Sequence, residues 1–356
     1  MSKKVLWKSI FFIIGLVGLI YIISDYGVAT LYADMLRIGF LNLFLLSLTF
    51  IPTLVCYACA WMLVTENSAE TSRIPIIFFI KSMTISISLN NLTPFLKVGG
   101  EPIKAILLSS HIPAALAIRS TILYNIIHVI ATILSFILIC LLIPLCFDNI
   151  SSYYTSILLI AAIVSILFVL PFFFFPLKKV KRYAIFLLSR FASNGASNGA
   201  SKNSYHSSLR KVVLKTIFSI SQLIYFSKRN GKKIYLAIFL EVFARFLEGI
   251  TFYFAFKLLG NHLSIFTAAI LDVGRTLIDT IFFFIPYQIG GRESGVMFLM
   301  NNILNINSHG YLFAVLSYRL VEIFWMVLGQ LVFLEDERAR RIKAKKIKAK
   351  KVGRHF

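Results

Sequence analysis

Between Asn90 and Leu108 the chain reads NNLTPFLKVGGEPIKAILL, a polar interruption set inside apolar sequence on both sides. In hydrocarbon an irregular backbone is tolerated only where protein buries it or a watery cavity receives it. Pro102 suits the first turn of a helix, and Glu101 before it can satisfy freed amides. The stretch therefore predicts an apolar descent, a glycine turn at Gly99–Gly100, and a second helix whose N-terminus is held within the membrane. Such an N-terminus favours an anion. Lys104, in the first turn, opposes the helix dipole and is expected to serve a partner charge, as is Lys97 before the turn.

The same grammar returns in IFFFIPYQIGGRE, from Ile281 to Glu293. An apolar run, Pro286, Gly290–Gly291 and then Arg292–Glu293 open another apolar helix. Paired interrupted segments in the two halves of a chain are the sequence mark of a transporter-type site. Hydrophobic residues make up 58% of the 356, which places the chain among polytopic membrane proteins.

Full-length apolar segments are predicted at Ile10–Ile23, Ile38–Val64, Arg119–Pro144, Tyr153–Leu177, Ile234–Leu259 and Tyr311–Leu334, and the interrupted pairs lie between them. The fold expected is an all-α membrane bundle of about six spans plus two re-entrant helical hairpins in inverted-repeat arrangement; eight spans, with the motifs at span ends, satisfy the same parity. The half-repeats run from about 38 to 177 and from about 234 to 334. Between them, Lys178–Lys233 carries thirteen Lys or Arg residues and no acid, with a tandem ASNG repeat inside it. A second basic stretch, with ten Lys or Arg from Arg338 to Arg354, lies in the tail at 335–356. By the positive-inside rule the N-terminus, the basic loop and the tail are expected in the cytoplasm of a cell (inner or plasma) membrane protein, against anionic lipid headgroups.

Charges inside apolar segments should face the bundle interior and be paired. Glu241, Arg245 and Glu248 share a helix face, as do Asp272, Arg275 and Asp279; Arg319 and Glu322 make a third set. The Asp272 set precedes the second glycine turn and is assigned to the cavity, while the other two sets read either as salt-bridge networks near helix ends or as functional charges. Thr121, Tyr124, Asn125, His128 and Thr132 form a polar stripe after the first turn. Cys56, Cys59, Cys140 and Cys146 read as packing thiols. No Ser/His/Asp order, metal cluster or nucleotide-binding glycine loop is evident, so an enzyme, a cofactor or a metal is not expected. A nucleic-acid partner is not expected either, since basic loops of this kind are ordinary in membrane proteins.

The motifs TPFLKVGGEPIKAILL and IPYQIGGRESG resemble those of flippase-like membrane proteins related to the transmembrane region of lysylphosphatidylglycerol synthase, including hopanoid-biosynthesis-associated members. The resemblance spans about Lys8 to Leu334. It maps Pro94, Gly99, Gly100, Glu101 and Lys104 onto the first motif, and Pro286, Gly290, Gly291 and Glu293 onto the second. It implies movement of a lipid between leaflets. Many members carry a Tyr-Arg or Glu-Arg pair where this chain has Tyr124–Asn125, a departure that removes a cation. No soluble aminoacyl-transfer domain follows in this sequence, so lipid aminoacylation is not expected. The residues expected to meet the headgroup are Lys97, Gly99, Gly100, Glu101, Lys104, Tyr124, Asn125, Asp272, Arg275, Gly290, Gly291, Arg292 and Glu293. A secondary transporter of a small organic anion, or a non-transporting partner in envelope lipid or glycan synthesis, are the other readings of the same residues.

Overall fold

A computed structural model describes residues 27–65, 74–92, 99–147, 150–174, 203–283, 285–304, 306 and 311–352, with 20 and 24. Every regular element among them is helical. They are α1 (Val28–Leu48), α2 (Ile51–Thr65), α3 (Ile76–Leu92), α4 (Gly100–Leu108), α5 (Ala114–Cys146), α6 (Ser152–Phe174), α7 (Asn203–Leu258), α8 (Ile265–Ile281), α9 (Gly291–Phe298) and α10 (Tyr311–Val352). A wider turn of helix, Leu299–Ile303, prolongs α9.

Among the described residues, three stretches are long and apolar enough to cross a bilayer: Leu36–Thr65, Ala114–Cys146 and Leu312–Arg338. The predicted span Ile38–Val64 falls on the first of these, yet it is broken at Thr49–Phe50, between α1 and α2. Pro52, whose ring nitrogen has no hydrogen to donate, sits in the first turn of α2, where that loss is harmless. Thr49 bonds Thr251 of α7 across the break at 2.8 Å, and Trp325 of α10 donates to the Ser47 carbonyl at 2.8 Å. The predicted span Ile10–Ile23 lies outside the described residues except for Ile20.

The order helix, interrupted pair, helix occurs twice: α2, α3–α4, α5, and then α7, α8–α9, α10. Neither α3 nor α8 exceeds 17 residues, about 25 Å of helix, which is short of a full crossing. Ser264 caps α8 by accepting from the Thr267 amide at 3.0 Å. The core is built where these elements meet, around Trp61, Phe79, Tyr124, Phe252 and Phe313, all essentially buried.

Two boundaries differ from those read in the sequence. The second half of the basic segment, from Asn203 to Lys233, is helix continuous with the span that follows, so α7 has 56 residues and a length of about 84 Å. Likewise the basic tail continues α10 as far as Val352. Charge composition marked these stretches as loop and tail, but Lys, Arg and Ala rank among the better helix formers, and nothing in the tail up to Val352 breaks a helix. Leu209–Phe226, which mixes bulky apolar and basic residues, is part of α7.

Candidate functional site

Both halves of the chain contribute to one cavity of about 770 Å³. Its walls carry Ser86 and Asn90 of α3, Glu101 and Lys104 of α4, Tyr124, Asn125 and His128 of α5, Arg245 and Glu248 of α7, Arg275 and Asp279 of α8, and Tyr318 and Glu322 of α10. Phe50 at the break between α1 and α2, and Trp325, supply apolar wall. The volume lies within the usual range of ligand pockets.

At the first turn the Gly100 amide donates to Asn90 Oδ1 at 2.7 Å, so side chain rather than ligand satisfies it. A Cβ on Gly100 would stand 2.1 Å from the Ser86 carbonyl oxygen; the glycine is there because α3 and α4 touch. Gly99, just before it, has helical dihedrals. Lys104 is buried and holds Glu101 through both carboxylate oxygens, at 3.0 and 3.2 Å, while its ammonium sits 4.6 Å from the centre of the Tyr124 ring. Glu101 keeps about a quarter of its side chain exposed, on the cavity. Lys97 and Pro94 lie outside the described residues.

The second turn is built differently. Gly290 has φ +76°, a left-handed value that suits glycine, and its amide donates to Glu293 Oε2 at 2.8 Å. A Cβ on Gly291 would meet the Phe282 ring at 2.8 Å. Tyr287 and Gln288 also have positive φ, 56° and 51°, and Arg319 of α10 clamps both their carbonyls, at 3.0 and 3.1 Å, while its Nε donates to Glu293. Arg292 is 1% exposed and is not on the cavity wall. Its guanidinium grips Asp279 through two bonds of 2.7 Å and Glu322 at 2.6 Å. Both of these carboxylates face the cavity.

Arg275 joins the halves of this network. It donates to Asp272 at 2.8 Å, Asp279 at 3.0 Å, Glu248 at 3.2 Å and the Tyr318 hydroxyl at 2.9 Å, and its guanidinium carbon lies 4.0 Å from the centre of the Tyr318 ring. Tyr57 completes Glu248 by donating to it at 2.7 Å. Asp272 is fully buried behind Arg275. Of the residues singled out in the sequence, the structure thus gathers Glu101, Lys104, Tyr124, Asn125 and Arg275 on the cavity wall. Asp272, Arg292 and Glu293 stand behind it, and the glycines shape the turns.

Arg245, Glu248, Asp279 and Glu322 line the same cavity although the sequence reading placed none of them among the headgroup contacts. They were visible as charges at helical spacing; what spacing does not tell is that Glu248 reaches across to α8. Tyr57 and Tyr318 carried no sequence signal, and Asn90 entered only as the first residue of the interrupted stretch.

A family model described as the lysylphosphatidylglycerol synthase TM region matches residues 9–329, across both halves and both turns. The chain belongs to this family. No curated protein and no solved structure matches it.

Proposed function

We propose that this member of the lysylphosphatidylglycerol synthase TM region family is a lipid translocase that moves a phosphate-bearing lipid between leaflets without catalysing a covalent reaction. The observation that carries the reading is the 770 Å³ cavity, whose charged wall is built jointly by both interrupted halves of an otherwise apolar bundle. Charges of this kind are costly inside a membrane unless they line a pathway or a site. Families of this type are often linked to lipid flipping, which agrees with the reading. The headgroup occupies the cavity and the acyl chains stay in hydrocarbon. The basic segment from Lys178 to Lys233 and the basic tail lie on the cytoplasmic face of the cell membrane, against anionic headgroups.

The test is reconstitution of the purified protein into vesicles carrying fluorescent short-chain phospholipids, with an impermeant quencher reporting which leaflet they occupy. Protein-dependent exchange is expected, and Asn125→Trp, which fills the cavity from α5, should abolish it while leaving the melting temperature near that of the unsubstituted chain. Exchange no faster than in protein-free vesicles would overturn the proposal.

A further inference from the structure

We infer that Arg245 is the anion-binding group of the cavity and that its ligand is a phosphate ester, an assignment that rests on the translocase reading and names its recognition step. Three cations line the cavity among the described residues, Lys104, Arg245 and Arg275, and they are not equivalent. Lys104 holds Glu101 with both carboxylate oxygens. Arg275 is saturated by Asp272, Asp279, Glu248 and Tyr318. Arg245 is 5% exposed, and among the described residues its side-chain hydrogen bonds all go to His128: Nη2 lies 3.1 Å from ring Nε2, with longer approaches of 3.5 Å to Nδ1 and to the carbonyl. Its Nε has no hydrogen-bond partner.

Why no carboxylate neutralises it directly is visible in the geometry. Glu241 sits one turn earlier on the same helix, where an i, i+4 pair with Arg245 would be natural. Instead the imidazole of His128 is interposed, with Nδ1 2.8 Å from Glu241 Oε2 and Nε2 facing the guanidinium. When Nδ1 carries its proton toward Glu241, the Nε2 lone pair is left to accept from Arg245. The other acid nearby on α7, Glu248, is committed to Tyr57, Arg275 and Tyr318. Glu241 is fully buried and held by His128, so the carboxylate balances Arg245 from behind the ring without occupying its donors.

The result is a dehydrated guanidinium on a cavity wall with donors to spare. A buried guanidinium in that condition is unfavourable until an oxyanion completes it; the planar fork matches two oxygens of a phosphate or of a carboxylate, and in a lipid translocase the phosphate ester of the headgroup is the oxyanion at hand. The ring-spaced Glu241 keeps the empty site close to neutral, so it need not collapse between ligands.

Binding to the full-length protein in detergent tests the assignment, with three probes: dihexanoyl phosphatidic acid, dihexanoylglycerol with the same tails and no phosphate, and inorganic phosphate. The first should bind the unsubstituted protein tighter than the second by about tenfold or more, the factor that charge-assisted hydrogen bonds supply. Arg245→Gln should erase that difference and leave dihexanoylglycerol unchanged. Arg245→Lys keeps the charge without the fork, preserves the fold if the glutamine variant does not, and should lose several-fold in affinity for the phosphatidic acid alone. Equal phosphatidic acid affinity in the unsubstituted and Arg245→Lys proteins, or no preference for it over dihexanoylglycerol, would overturn the assignment of Arg245 and leave the translocase reading to the vesicle assay. Inorganic phosphate binding as tightly as the lipid, and lost with Arg245, would uphold the phosphate site and sink its lipid source.

Discussion

Replacing Arg292 by Gln is the most severe single change that the second turn offers. The side chain is 1% exposed and makes three short bonds, two of 2.7 Å to Asp279 and one of 2.6 Å to Glu322. Removing one partner of a buried ion pair leaves an uncompensated charge and costs about 3–5 kcal/mol. Two facts place the cost at the lower end. Asp279 retains Arg275 at 3.0 Å, and Glu322, about a quarter exposed on its side chain, recovers some hydration from the cavity. A loss of about 3 kcal/mol corresponds to a fall of roughly 4 °C in melting temperature for a chain of this size. Lys104→Gln is the internal comparison. Its only carboxylate partner, Glu101, is partly exposed and adjacent on the same helix, so the loss should be about 1 kcal/mol. Thermal unfolding of the two variants in one detergent, followed by intrinsic fluorescence, decides the matter. The double variant Arg292→Met, Glu322→Gln, with Asp279 left on Arg275, should recover part of the loss, because it leaves no carboxylate without a cation. Equal melting temperatures for Arg292→Gln and the unsubstituted protein would refute the reasoning. Arg292 would then be a solvated cation, free to meet a ligand.

Gly100→Ala should destabilise by about 1–3 kcal/mol or more, because the new methyl meets the Ser86 backbone and the α3–α4 contact must open; the same thermal measurement checks it. For topology, single cysteines at Lys202 and Arg354 should react with an impermeant reagent only after the cytoplasmic face is opened, and one at Asp148 should react from outside. Opposite behaviour of the first two would remove the even number of crossings.

Much of the architecture is present in the sequence because a bilayer leaves few choices. Apolar length alone located the spans that end near Val64, Pro144 and Leu334, and the two glycine turns announced themselves by proline, glycine and charge in close succession. Spacing along a helix also placed Asp272, Arg275 and Asp279 together, and they do bond one another. It misled where partners lie on other helices. Arg319 and Glu322, three residues apart, do not pair: Arg319 turns to Glu293 and Glu322 receives Arg292. A residue's neighbours on its own helix are fixed by the sequence, whereas those across a helix interface depend on packing that no local pattern encodes. The glycines teach the same lesson. A missing side chain marks a close approach, but Gly100 approaches Ser86 and Gly291 approaches Phe282, contacts between segments of the chain itself.

The two turns share a sequence grammar and differ in how they are fastened. At the first, among the described residues, Asn90 serves Gly100 and Lys104 serves Glu101, while Ser88 of α3 is bonded to Met326 and Gln330 of α10. At the second, Arg292 and Glu293 are bolted to α8 and α10, and Arg319 rivets two left-handed residues from a third position in the chain. Left-handed non-glycine backbone costs on the order of 1–3 kcal/mol per residue and persists only where its surroundings over-determine it. The second hairpin is therefore the fixed jaw of the bundle. A change of shape at the α4 seam, where the first hairpin meets α5 through the Lys104 ammonium over the Tyr124 ring, would leave these fastenings of the second hairpin intact.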